Sequence, residues 1–280
     1  MRLCLAAFLM AAVSIGGLAI IELHDVVYRT VDGMSLTLDI YIPDGPGPHP
    51  AILFVHGGAW HTGDKRRLAP LARFFAERGY VGFSVNYRLA PAFTYPAPLE
   101  DLRCAVKWIR GHAADYGVDP GRIAAVGTSA GGHLVALLAA APETVGACGD
   151  PGVPSRVQAA VALFGPMDLL SAVGSPAEAA VESFLGASAQ DAPDLWREAS
   201  PVTWASADDP PFLLIHGLDD RVVPYQESVR MADALRRAGA EAELLLIPGA
   251  GHGFINRSNT QAARRAVAAI LDFLDRFLSP

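Results

Sequence analysis

At Ile123-Ala124-Ala125-Val126-Gly127-Thr128-Ser129-Ala130-Gly131-Gly132-His133 an apolar run breaks into a glycine-bracketed serine and then into an alanine- and leucine-rich segment. A strand, a sharp turn and a helix start have that composition. Glycines let the chain turn tightly beside the serine, and a helix start offers unpaired N–H groups that favour negative charge. A turn of this kind holds its central side chain out from the end of the strand. Ser129 is therefore a candidate nucleophile. Alone, Gly-x-Ser-x-Gly is a weak signal, because Gly, Ser and Ala are common and most matches are ordinary turns.

The surroundings add to it. Apolar runs at 51–55, 80–86, 123–127, 157–163, 211–216 and 241–247 alternate with helical patterns at about 66–78, 99–114, 130–140, 225–238 and 260–278. Runs of this kind belong to strands covered on both faces, which predicts an α/β fold with a mostly parallel, doubly wound sheet. Ahead of them, residues 25–31 and 36–42 alternate around Asp32-Gly33 and predict an antiparallel hairpin. Asp119-Pro120-Gly121-Arg122 reads as a turn delivering the chain into the strand before Ser129. Residues 168–209, rich in Ala, Ser and Pro with Phe184, Leu185, Leu195, Trp196 and Trp204, depart from the alternation. They are expected to form a small lid insertion over the carboxyl edge of the sheet, where open α/β sheets keep their sites. With no internal repeat and no flexible linker, residues 22–280 read as one domain.

The chain of 280 residues is 51% hydrophobic and 18% charged, which favours a sizeable core over disorder. A net charge of −7 and the lack of a long Lys/Arg run oppose a nucleic-acid partner; Lys65-Arg66-Arg67 reads as a solvated helix start. Residues 1–21 carry one basic residue, Arg2, an apolar stretch from Leu3, and small residues Gly17 and Ala19 placed as a cleavage site requires. They look like a secretory signal peptide, with an uncleaved anchor or a buried N-terminal helix as alternatives. A secreted or periplasmic protein without a membrane span in its mature form is expected if the leader is cleaved, and a cytoplasmic one otherwise. Of three cysteines, Cys104 and Cys148 could pair in an oxidising compartment, or Cys104 could simply be buried in its helix. No Cys/His spacing resembles a metal site.

A serine hydroxyl is a poor nucleophile until a neighbouring base takes its proton, and the base needs a carboxylate to fix its tautomer. Two later segments offer these groups. Phe212-Leu213-Leu214-Ile215-His216-Gly217-Leu218-Asp219-Asp220 is an apolar run entering a loop with two acids, and Leu244-Leu245-Leu246-Ile247-Pro248-Gly249-Ala250-Gly251-His252-Gly253-Phe254 ends in a histidine flanked by glycines. Asp168, after the preceding run, is a third acid. Capping or turn formation is the alternative role for the acids, and backbone bonding in a turn for His252. Charge developing on a carbonyl oxygen needs preorganised donors. In Val55-His56-Gly57-Gly58-Ala59-Trp60, at the end of an apolar run, the N–H groups of Gly57 and Gly58 could join that of Ala130 as such an oxyanion hole. Trp60, Trp204 and Phe254 are candidate substrate-binding walls, with core packing the alternative for each.

These four segments together resemble the α/β-hydrolase superfamily from about Asp25 to the C-terminus, and the chain order Ser129, acid, His252 is the order of that fold. The resemblance selects Asp220, three residues after Gly217 in a His-Gly-x-x-Asp-x-x-Val-Pro loop, over Asp219, with Asp168 as a third possibility. Asn86-Tyr87-Arg88-Leu89-Ala90-Pro91 and Tyr95-Pro96-Ala97-Pro98-Leu99-Glu100-Asp101 resemble the hormone-sensitive-lipase-like esterases and, more closely, the bifunctional feruloyl/acetyl xylan esterase-like group. Gly127-Thr128-Ser129-Ala130-Gly131-Gly132-His133 and Ser200-Pro201-Val202 before Asp209-Pro210-Pro211-Phe212 are similar to the latter group too.

The resemblance implies a serine carboxylester hydrolase working through an acyl-enzyme without a cofactor, on a small-molecule or carbohydrate-linked ester, with acetyl or feruloyl sugars among the substrates. The insertion is short and lacks the long amphipathic pattern of an interfacial lipase lid, so short-to-medium acyl groups are expected. His56-Gly57-Gly58 is followed by Ala59-Trp60 rather than a third glycine, as in the His-Gly-Gly-x-Trp of arylformamidases, which makes an amidase of that type the alternative. A catalytically silent α/β-hydrolase used for binding is a further one. An exposed edge strand or the last helix could mediate a homodimer.

Overall fold

Asp32 and Gly33 both take positive φ, 49° and 80°, the tight-turn geometry whose twist matches that of the strands it joins. They connect β1 (Ile20–Val31) to β2 (Met34–Pro43), with Val31 opposite Met34. The remaining strands are β3 (His49–Val55), β4 (Val81–Val85), β5 (Val118–Thr128), β6 (Ala159–Leu163), β7 (Phe212–Gly217) and β8 (Ala242–Ile247). In this computed structural model, which describes residues 20–149, 151–256 and 260–279, they form one sheet in the order β1-β2-β4-β3-β5-β6-β7-β8. β2 runs antiparallel to both its neighbours, β1 and β4, and every other pairing is parallel. The expected α/β sheet with its N-terminal hairpin is therefore present, and it has the α/β-hydrolase form.

The helices are α1 (Ala69–Ala76), α2 (Ala97–Gly111), α3 (Ala130–Ala140), α4 (Glu178–Leu185), α5 (Pro193–Glu198), α6 (Gln226–Ala238) and α7 (Gln261–Leu278). They divide into two layers because successive side chains of a strand point to opposite faces. Leu53 and Val55 of β3 enter the core beneath α2, α3 and α6, whereas Ile52 and Phe54 enter the core beneath α1 and α7. Both faces of the central strands are thus sealed, which is why they read as unbroken apolar runs. On α7, Ala263, Ala266, Ile270, Phe273 and Leu274 recur at helical spacing and are buried. Burying each of the three large ones contributes about 1.5–3 kcal/mol, so packing rather than propensity holds this helix.

Three local expectations need correction. Residues 66–78 are not one helix: Lys65–Leu68 form a 3₁₀ turn and α1 begins at Ala69. Pro70 lacks the N–H an uninterrupted helix would require there, so it is accommodated in a first turn. Nor is Lys65 solvated. It is 3% exposed, and its ammonium donates to Asp39 at 2.5 Å and Asp25 at 2.7 Å, leaving Arg66 and Arg67 as the exposed residues of the cluster. Finally, Asp119-Pro120-Gly121-Arg122 lies inside β5 as a bulge rather than before it. Between the pairs His49↔Val118 and Ala51↔Ile123 the chain advances two residues on β3 and five on β5. Asp119 stabilises the extra loop by accepting the Gly121 N–H at 2.8 Å.

The expected leader falls outside the described residues except for Ile20 and Ile21, which open β1. Cys104 of α2 is joined to Cys148 by a disulfide, with Cα atoms 5.4 Å apart.

Candidate active site

Ser129 stands between β5 and α3 with φ 54° and ψ −123°, a conformation L-residues rarely adopt and one that persists only where the surroundings enforce it. Two hydrogen bonds do so: the Ser129 N–H donates to Leu163 O of β6 at 2.8 Å, and its carbonyl accepts the His133 N–H of α3 at 3.0 Å. A side chain on Gly131 would collide with the carbonyls of Val55 and His56, and one on Gly127 with the carbonyl of Gly131. The glycines therefore let the helix start cross close to the strand ends, while α3 aims its positive end at the Ser129 side chain.

His252 and Asp220 reach this serine from neighbouring strands. The loops after β7 and β8 are tied together, Leu218 N–H donating to Ile247 O and Asp219 N–H to Ala250 O, each at 3.0 Å. His252 Nδ1 lies 2.7 Å from Asp220 Oδ2, and its Nε2 lies 2.9 Å from Ser129 Oγ. A carboxylate only accepts, so Nδ1 carries the proton and Nε2 is left to accept from the hydroxyl. Asp220 Oδ1 accepts the N–H groups of Val222 at 2.8 Å and Val223 at 3.0 Å, and the side chain is fully buried. Burial raises the pKa of this carboxyl, but the donors His216, His252, Val223 and Val222 outweigh it and hold the group well below the usual carboxylate range. Asp219 lies on the exposed side of the loop. Asp168 instead caps the 3₁₀ turn Leu169–Ala172 by accepting the Leu170 N–H.

Gly57 and Gly58 follow β3 and pack directly against the serine turn. A Cβ on Gly57 would stand 2.9 Å from Ser129 Cβ and 2.6 Å from Thr128 O. The carbonyl of Gly57 accepts Nδ1–H of the buried His56 at 2.9 Å, and a trans peptide directs the Gly58 N–H the opposite way. Among the described residues the N–H groups of Gly57, Gly58 and Ala130 form no backbone hydrogen bond. Burial pushes the His56 pKa down to about 4, against the opposing effect of the Gly57 carbonyl.

The three aromatic candidates occupy different settings. Trp60 is 4% exposed, stacks on Phe184 of α4 with ring centroids 4.5 Å apart, and donates its indole N–H to His133 Nδ1 at 3.2 Å. Trp204 is half-buried and donates to Glu198 O at 2.7 Å. Phe254 packs edge-on against Phe164, whose ring in turn meets the His252 ring edge-on at 4.9 Å. Phe164 went unnoticed in the sequence because it closes an ordinary apolar run; its φ of 41° is the departure that marks it. His133 was hidden likewise. It donates Nε2–H to Ala199 O, and full burial pushes its pKa down to about 4. His61 also escaped notice: its Nε2 lies 2.7 Å from Ser183 Oγ, joining the glycine loop to α4.

Among the described residues no helix is long and apolar enough to cross a membrane, and no group of three His, Cys, Asp or Glu side chains is placed to hold a metal ion.

The family model described as BD-FAE matches residues 38–235. The chain belongs to the BD-FAE family. The BD-FAE match begins in β2 and ends in α6, so it contains Ser129 and Asp220 and stops short of His252. Among curated relatives, the probable carboxylic ester hydrolase LipM of Mycobacterium tuberculosis is 35% identical over 80% of this chain and 54% of its own. Esterase LipQ of the same organism is 37% identical over 86% of this chain and 59% of its own. The chain thus spans a little over half the length of these relatives. Among solved structures, the propionate-bound esterase Est2 of Thermogutta terrifontis superposes with a TM-score of 0.79 at 30% identity, covering 95% of this chain and 97% of that one. A truncated carbohydrate esterase from gut microbiota gives 0.80 at 28% identity, covering 92% and 96%.

Proposed function

We propose that the protein is a serine carboxylester hydrolase acting on short-to-medium acyl esters, with Ser129 as nucleophile, His252 as general base and acid, and Asp220 as the carboxylate that orients it. The observation that carries this reading is the unbroken hydrogen-bonded line Asp220–His252–Ser129, at 2.7 and 2.9 Å, beside a glycine loop. His252 Nε2 takes the hydroxyl proton as Ser129 Oγ attacks the ester carbonyl, and Asp220 stabilises the resulting imidazolium. The N–H groups of Gly57, Gly58 and Ala130 then receive the oxyanion. The imidazolium returns its proton to the leaving alcohol, and water activated by the same ring releases the acid from the acyl-enzyme.

Short acyl groups are supported by the neighbours described with propionate and with butyrate bound, and a sugar-linked ester by the carbohydrate esterase. Residues 168–209 act in this reading as a small lid, held to the glycine loop through Phe184 on Trp60 and Ser183 on His61. Export is part of the same reading, supported by the Cys104–Cys148 bond. Nothing at Trp60 favours the formamidase alternative, since its ring is occupied by Phe184 and His133.

The test is hydrolysis of p-nitrophenyl acetate, butyrate and palmitate, acetyl xylan, methyl ferulate and N-formylkynurenine by wild type and Ser129→Ala. Short esters are expected to turn over fastest, and Ser129→Ala to lower kcat by on the order of 10⁴–10⁶ with the fold intact. A variant with near wild-type turnover would refute the assignment.

A further inference from the structure

The last residue but one of β7 is a histidine that the mechanism above does not use. His216 is fully buried, and both ring nitrogens are engaged. Nε2 lies 3.0 Å from Val223 O and 3.3 Å from Asp220 Oδ2, the same carboxylate oxygen that receives His252. A carbonyl and a carboxylate can only accept, so Nε2 carries a proton that these two oxygens share. In the neutral ring Nδ1 then accepts from the buried Ser228 hydroxyl of α6, 2.7 Å away. The order of donation runs Ser228 to His216 to Asp220.

Asp220 needs this support for a geometric reason. Its Oδ1 is held by two N–H groups of its own loop, Val222 and Val223. Those contacts pin one oxygen and leave the carboxylate free to pivot about it, carrying Oδ2 away from His252. His216 meets Oδ2 from the sheet side, and by bonding Val223 O it also ties the loop that carries Asp220 to the end of β7. We infer that His216 is a positioning residue, setting Asp220 Oδ2 where it can fix the orientation and tautomer of His252. This rests on the reading of Ser129, His252 and Asp220 as the reacting group, and it adds to that group a fourth side chain that never touches substrate.

The test compares His216→Leu, which keeps apolar bulk and removes the donor, with His216→Gln, whose amide N–H can stand near the lost Nε2–H. Both are assayed against p-nitrophenyl butyrate beside wild type and Ser129→Ala. Thermal melts and the far-downfield proton resonance of His252 Nδ1–H are recorded in parallel. His216→Leu is expected to lower kcat by about 10- to 100-fold with KM changed by less than about threefold, since misplacing a reacting group costs turnover rather than binding. His216→Gln is expected to recover kcat to within about fivefold of wild type and to restore a resonance that His216→Leu loses.

Wild-type kcat in folded His216→Leu, with Ser129→Ala inactive, overturns the inference alone; a fully active Ser129→Ala overturns the reading beneath it. Equal losses in the Leu and Gln variants that follow their melting temperatures also overturn it, because packing would then explain both. Should His216→Leu not fold, Ser228→Ala decides. It leaves the imidazole in place but removes the hydrogen bond that anchors its Nδ1, and a fall in kcat of about threefold or more supports the inference, whereas wild-type kcat overturns it.

Discussion

The carbonyl oxygen of Gly57 accepts the Nδ1–H of His56 at 2.9 Å. This bond fixes the Gly57–Gly58 peptide plane, and with it the direction of the Gly58 N–H beside Ser129. His56→Leu removes the tether but leaves the glycines in place. The expected result is a kcat about tenfold lower with KM little changed, short of the roughly 100- to 1,000-fold cost of removing an oxyanion donor outright. Steady-state hydrolysis of p-nitrophenyl butyrate measures it; an unaltered kcat would show that the peptide needs no such tether.

Acid should weaken the fold through two histidines. Burial holds the pKa values of His56 and His133 at about 4 each, whereas an unfolded chain protonates histidine near 6.5. Between those values the unfolded state binds more protons, so stability is full above about pH 6.5 and is lost as pH falls toward 4. The loss approaches about 3 kcal/mol per histidine at the low end. Urea titrations at pH 7.5, 6, 5 and 4.5 should show the decline, and His133→Gln should flatten it. A profile level across that range would mean the rings are reached by solvent.

Gly131→Ala should not yield folded protein at normal levels. Its methyl would meet the carbonyls of Val55 and His56, which are backbone atoms and cannot rotate aside. Gly111→Ala is the control: nothing stands near a Cβ at that helical position, and a gain of about 0.4–1 kcal/mol is expected. Soluble yield and urea midpoints compare the two, and a stable Gly131→Ala protein would contradict the close crossing of α3 over β3.

The Cys104–Cys148 bond closes a loop of 44 residues. By the chain-entropy account, opening such a loop costs about 4 kcal/mol, equivalent to a melting temperature lower by about 10 °C for a chain of this size. Melts with and without reductant, with Cys104→Ser/Cys148→Ser as the reference, should show that difference. Alkylation of unreduced, denatured protein should leave both sulfurs unlabelled.

What could be read from the chain and what could not divide along a physical line. Strands sealed on both faces announce themselves as apolar runs, and the runs before Ser129, before Asp220 and before His252 were legible on that ground. The glycines at 127 and 131 are local requirements of a tight crossing, so they too stand in the sequence. Contacts that close over a distance left no periodic trace. Lys65 is neutralised by Asp25 and Asp39, 40 and 26 residues earlier, and nothing in Lys65-Arg66-Arg67 reports it. Asp-Pro-Gly in β5 signals a turn, but the sequence does not say that the turn is a bulge within a continuing strand. His133 and His216 look like any core histidine until the partners of both ring nitrogens are known. Trp60 belongs with these contacts: the sequence places it just after the glycine pair, and only the structure shows its ring on Phe184 and its indole N–H donating to His133.

β8 has one neighbour, β7, and most of its residues are only half-buried. The loop that holds His252 therefore hangs from one edge of the sheet, on a strand less sheltered than the central ones, while Ser129 hangs from a strand near its centre. Border segments loosen at a lower free energy than interior ones. Denaturant or heat should thus silence ester turnover while the circular dichroism of the bulk is still intact, so that loss of activity gives the earliest warning of fraying at that margin.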